Sequence, residues 1–195
     1  MVKDGIQNYP TSDSPNHDAF EGIVELYYEI KGYITSSGKW FWKKSDGKYQ
    51  GGYQDIDVLA INGKETIIVS VSSNFDDKLN FSKGKINETK LIKTLDHFNR
   101  IEEYLNATNE YKWLMEGSRK IKRVLAVINA PKGYEKYSLI PETKEIEIVQ
   151  VKEMITVINN YLEKYKKQQN ENGLKTQNQT FRILQILNEK KMFTK

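Results

Sequence analysis

The sequence predicts an α/β fold, a central mixed β-sheet flanked by helices, with a further helix appended at the C-terminus. Three observations carry that prediction. Two apolar runs, 56–61 and 66–71, flank Asn62-Gly63, the strongest short-range signal for a tight turn between antiparallel strands. The unbroken apolar run Val124-Leu125-Ala126-Val127-Ile128 fits a central strand buried on both faces. Segments with apolar residues at helical spacing precede the hairpin, separate it from the 124–128 run, and come again after residue 150. That alternation of helix and strand builds a sheet between helices.

Residues 1–13 read as a polar arm, and 14–165 as the domain itself. Ser14-Pro15 offers a helix cap followed by proline at the first helical position. Phe20, Ile23, Val24, Tyr27, Ile30 and Ile34 fall close to helical spacing, and Gly32 can end the helix in the left-handed conformation. A second stripe carries Glu21, Glu25 and Glu29. Lys39-Trp40-Phe41-Trp42-Lys43-Lys44 reads as a strand that leads into a turn at 46–48. Its rings suit packing in a sheet, while its lysines suit either edge protection or phosphate contacts. Residues 73–84 read as a loop. Asn87 then opens a helix with the stripe Leu91, Leu95, Phe98, Ile101 and Leu105, and Thr108 starts a shorter one with Tyr111, Trp113, Leu114 and Met115, ended by Gly117. Residues 145–150 form another strand, and 151–165 a helix with Met154, Ile155, Ile158, Tyr161 and Leu162 inward. Residues 166–179 are rich in Lys, Gln and Asn and read as a flexible linker. Phe181, Ile183, Leu184, Ile186, Leu187, Met192 and Phe193 give 180–195 the pattern of an amphipathic helix, docked either on its own domain or on a second subunit as a homodimer contact.

Composition narrows the chemistry. A chain of 195 residues is long enough to bury a sizeable core. Lys and Arg number 30 against 26 Asp and Glu, a net charge of +4, which permits a polyanionic partner without demanding one. The absence of cysteine rules out disulfides, thiolate zinc sites and cysteine nucleophiles. Two histidines, His17 and His97, lie too far apart in sequence to suggest a zinc site, and read as surface or capping residues. No run of 18 apolar residues and no leader-like N-terminus occurs, so a cytoplasmic protein without a membrane partner is expected. Gly-rich phosphate loops, HExxH and a Ser-His-Asp order are likewise absent.

The chemistry that remains lies in the hairpin. Alternation along a strand puts Asp55 and Asp57 on one face, and Ser70 and Ser72 on one face of the partner. Aspartate is depleted in strands, so two of them at i and i+2 in an apolar run mark function more readily than packing.

A helix bearing glutamates, then Asp57 on a strand, then a second strand after a turn resembles the PD-(D/E)XK nuclease superfamily, which includes restriction endonucleases and archaeal Holliday-junction resolvases. The resemblance spans roughly residues 18–165, its specific part being the hairpin and the helix before it. It implies a restriction-endonuclease-like fold, Asp57 as the metal aspartate with Asp55 beside it, and Glu21 or Glu25 as the helix glutamate. Mg²⁺ or Mn²⁺ would then be held by Asp57, Asp55 and Glu21. The family's second acid and its lysine fall here on Ser70 and Ser72. Serine at 70 removes a full negative charge from a hard-cation site, and serine at 72 cannot orient water or offset developing charge. Glu65, Asp76, Asp77, Lys78 and Lys83 stand close enough in sequence to be replacements.

These losses favour a nucleic-acid-binding protein on a nuclease-like scaffold with a degraded hydrolytic site and weakened metal affinity, Mg²⁺ or Mn²⁺ being required only if the site is active. The alternatives are an active Mg²⁺- or Mn²⁺-dependent endonuclease with migrated catalytic residues, and a protein-interaction or oligomerisation module. The DNA partner, branched or single-stranded, would be gripped by Lys39, Lys43, Lys44, Lys83, Lys85, Lys90, Arg119, Lys120, Lys122 and Arg123.

Overall fold

The structure is a computed structural model, and it describes residues 19–45, 48–82, 85–117, 119–134 and 145–166. The polar arm, the Ser14-Pro15 cap, His17, Lys83 and the 180–195 helix lie outside these residues, as does all of the 166–179 linker but its first residue. The side chains of Trp40, Trp42, Lys43, Lys44 and Lys85 do too.

Helix α1, Ala19–Ile30, leads through Gly32 (φ 85°) into a meander of three antiparallel strands: β1, Ile34–Ser45; β2, Lys48–Ile61; and β3, Glu65–Ser72. Ile34 therefore opens a strand instead of extending the helical stripe, and it is 77% exposed. The turn predicted at Asn62-Gly63 is there. The Asn62 side-chain carbonyl accepts the N–H groups of Lys64 and Glu65 at 2.8 and 2.9 Å, the local bonding that makes asparagine a turn residue.

Residues 73–84, expected to be a loop, hold more structure. A single helical turn, α2 (Phe75–Lys78), is capped by the Asn74 side chain, and a two-stranded ribbon pairs β4 (Phe81–Ser82) with β5 (Lys85–Ile86). Helix α3, Glu88–Ala107, opens on Asn87 as predicted, with the Asn87 side chain accepting the Lys90 N–H. Thr108 closes that helix instead of opening another, and the segment beyond it holds only a 3-10 turn, Lys112–Leu114.

Strand β6, Lys120–Val127, runs parallel to β3 on one side and to β7, Ile146–Gln150, on the other. Helix α4, Val151–Lys166, completes the described fold. The five-stranded sheet has the order β1-β2-β3-β6-β7, mixed and flanked by helices as predicted. β6 lies at neither edge of the sheet, and Val124 to Val127 are fully buried.

Side-chain alternation divides the core between the two faces. Val58, Ala60, Ile67, Val69, Val124 and Ala126 pack with Phe20, Val24 and Tyr28 of α1 and Met154 of α4. Leu59, Ile68, Leu125 and Val127 pack with Leu91, Phe98, Ile101 and Leu105 of α3. No helix among the described residues is long and apolar enough to cross a membrane.

Candidate functional site

Asp57 stands where β2 breaks its alternation. Ile56 belongs to the core on the α3 face and Val58 to the core on the α1 face, although positions two apart normally share a side. Across the ladder the pairs Ser37–Val58 and Lys39–Ile56 bracket Gly38, which has φ 61°, a conformation glycine takes without strain. The irregularity turns the Asp57 carboxylate toward β3. Its Oδ2 accepts the Val71 N–H at 2.6 Å and the Ser70 hydroxyl at 3.3 Å.

Burial pushes the Asp57 carboxyl up to about 6. The Val71 N–H pulls it back, the Asp55 charge adds to the rise, and the Lys78 ammonium and the Ser70 hydroxyl oppose it. Lys78 comes from α2, which is tied down on both sides. Thr94 Oγ1 donates to the Lys78 carbonyl at 2.7 Å and Lys90 Nζ to the Asp76 carbonyl at 2.5 Å. One turn along α3 from Thr94, His97 is half-buried rather than a surface or capping residue. Burial and the nearby Lys78 charge lower its pKa, with Asp55 and Asp96 opposing, which favours the uncharged ring.

The site thus gathers Asp55, Asp57, Ser70, Lys78 and His97. Sequence spacing gives no hint of the histidine's place here, because nothing local links a residue of α3 to a strand so far upstream. Ser72 is employed differently, its hydroxyl donating to the Asn74 carbonyl at 2.9 Å and bracing the chain where it enters α2. Glu21 and Glu25 lie on α1, whose buried residues pack on the opposite sheet face from Leu59 and Ile68. Among the described residues no three His, Asp or Glu side chains converge in a way that could hold a metal ion, so Asp57, Asp55 and Glu21 do not form a preassembled set.

The proposed replacement acid Glu65 sits at the far end of β3, about 17 Å from Ser70 at strand spacing. There it accepts a hydrogen bond from the Tyr33 hydroxyl and pairs with Lys122 at 2.7 Å. Lys122 and Tyr33 hold its carboxyl below the usual range. Burial together with the Glu65 bond raises the Tyr33 hydroxyl to about 12.

The predicted basic residues separate by environment. Arg123 donates to Glu102 at 2.7 Å, Glu145 at 2.9 Å and Asn99 at 2.8 Å. Arg119 donates to the Asn62 and Glu65 carbonyls, Lys39 lies over the Tyr111 ring at 5.4 Å, and Lys120 is exposed.

No family model matches the sequence, and no curated protein does. Among solved structures, the crystal structure of an XisH family protein from Nostoc punctiforme PCC 73102 is similar at a TM-score of 0.42 and 15% identity, over 70% of this chain and 94% of that one.

Proposed function

We propose that this protein binds nucleic acid on a nuclease-like scaffold whose hydrolytic centre has lost its second acid and its lysine. The observation that best supports this reading is the employment of the two serines. Ser70 donates to Asp57 and Ser72 to the Asn74 carbonyl, so both positions serve the local structure with neutral groups. In the superfamily that the sequence resembles, those positions supply an anion and an ammonium.

For a divalent ion the donor set is Asp55 and Asp57. Mg²⁺ is commonly held by one or two carboxylates when substrate phosphates complete its shell, so this pair fits an ion that arrives with nucleic acid better than a resident one. When bound, the ion would polarise a phosphoryl oxygen and activate water. Lys78 favours a second reading, an Mg²⁺- or Mn²⁺-dependent endonuclease. Its ammonium acts on Asp57 from α2, where it would orient water and offset charge on the phosphate.

Fluorescence anisotropy with labelled single-stranded and duplex DNA tests the first reading. Affinity is expected to fall steeply between about 50 and about 200 mM salt, with no cleavage in Mn²⁺. Absence of binding to either DNA at the lowest salt would sink it. Cleavage in Mn²⁺ that Asp57→Ala and Lys78→Ala each abolish, with binding retained, would establish the second reading in its place.

A further inference from the structure

We propose that the notch between the β2–β3 turn and the 3-10 turn takes single-stranded nucleic acid, with a base stacked on Trp113 and phosphates at Lys64 and Arg119. This rests on the nucleic-acid-binding reading and gives it a place at the opposite end of β3 from Ser70.

Trp113 is 54% exposed, while the next residue, Leu114, is 1% exposed. The 3-10 turn thus sends one large side chain into the core and its neighbour into water. Burying a large apolar ring is strongly favoured, so an exposed tryptophan forgoes much of that gain. The ring is nevertheless fixed. Its indole N–H donates to the Glu110 carbonyl at 2.9 Å, and the turn is anchored by the buried Thr66 hydroxyl, which donates to the Leu114 carbonyl at 2.8 Å. Arg119 backs the indole with its guanidinium carbon 5.7 Å from the ring centre, and carbonyls of the β2–β3 turn hold that guanidinium.

The cavity beside the ring measures about 300 Å³ and is lined by Gly63, Lys64, Trp113, Glu116 and Arg119. That is the lower end of the size range for small-ligand sites, about 300 to 1,000 Å³. Gly63 leaves it open, for a Cβ built there would meet nothing within 4 Å. The charge is predominantly positive. Lys64 and Arg119 supply that charge. Among the described residues the lining has one acid, Glu116, which pairs with Lys112 at 3.3 Å. A rigid ring backed by a guanidinium and flanked by a lysine is the combination that grips single strands, because every base offers a face to stack and every nucleotide a phosphate to neutralise.

The test is binding of a fluorescein-labelled oligothymidylate by the full chain and its variants, each checked by circular dichroism. Trp113→Ala is expected to weaken binding about tenfold, within the range for one stacked base, while Trp113→Phe stays within about threefold of the parent. Lys64→Gln is expected to lower the slope of log K against log salt by about 0.7. Equal affinity of Trp113→Ala and the parent overturns the proposal. So does a Trp113→Phe protein as weak as Trp113→Ala, or competition by polyglutamate as strong as that by unlabelled oligothymidylate. If the parent binds neither single-stranded nor duplex DNA, the broader reading fails with it; if the parent binds and Trp113→Ala is unchanged, the proposal alone fails.

Discussion

Asp57 carries its carboxylate in a place where burial opposes the charge, and its acidity of about 6 lies above the ordinary value of 3.8. For an acid with a raised folded pKa, the stabilising contribution is complete below the unfolded value and is lost as pH rises through the folded one. At neutral pH the ionised side chain therefore works against the fold. Asp57→Asn keeps an acceptor for the Val71 N–H and removes the charge, so it is expected to stabilise the protein by about 3 kcal/mol at neutral pH. Below the unfolded pKa of the aspartate the two proteins should melt together. Thermal denaturation across this pH range checks both halves; an asparagine protein that melts lower at neutral pH would mean that Lys78 holds the carboxylate charged. An acid kept at a stability cost is the behaviour expected of a functional side chain. Asp57 is legible in the sequence because an aspartate in an apolar strand contradicts its surroundings. Lys78 is legible only as one of five nearby replacement candidates, with nothing local to single it out, and His97 is not legible as a partner at all, since it reaches the site from α3 and breaks no local rule.

At the scale of the element, what the sequence reveals depends on how many residues share one period. The hairpin of β2 and β3 is legible from two apolar runs around Asn-Gly, α3 from a long apolar stripe and a cap, and β6 from an unbroken apolar run. The turn α2 is four residues long, too short for any period, and it is fixed by contacts from outside: Ser72, Asn74, Lys90 and Thr94. The β4–β5 ribbon, two residues a side, escapes notice for the same reason. Asn87→Ala removes the cap of α3 and is expected to cost about 1 kcal/mol in denaturant unfolding. Thr94→Val should act on α2 in particular. It leaves the Lys78 carbonyl without its buried donor, at about 1 to 3 kcal/mol, and should speed amide hydrogen exchange at Leu79, whose N–H closes the turn on Phe75. Unchanged exchange there would show that Lys90 holds α2 without help, and that Lys78 keeps its place beside Asp57 with no need of Thr94.

Across the whole molecule, cations near one another in sequence have different employment. Arg119, Lys120, Lys122 and Arg123 look like one patch in the sequence, yet strand alternation turns Lys122 toward Glu65 with α1 on that face and Arg123 toward Glu102 with α3 on the other. This division is available from the period-two rule once 120–127 is taken as a strand; the acidic partners are not, because Glu65, Glu102 and Glu145 belong to three other parts of the chain. Arg123, 15% exposed and bonded to two carboxylates, is thereby assigned to holding α3 and the segment before β7 against the sheet. Among the described residues Lys78 makes no comparable network with α3 through its ammonium, and its charge acts on Asp57. The two side chains should therefore fail in opposite ways. Arg123→Met is expected to lower stability by about 1 to 2 kcal/mol, a partly exposed charged network being worth no more than that, and to leave DNA affinity and its salt slope unchanged. Lys78→Gln should leave the melting temperature close to that of the parent, while the slope of log K against log salt on duplex DNA falls by about 0.9, the share of one phosphate contact. A Lys78→Gln protein with an unaltered slope would place the phosphates away from Asp57, and an Arg123→Met protein with parental stability and weakened binding would return that guanidinium to the nucleic-acid surface.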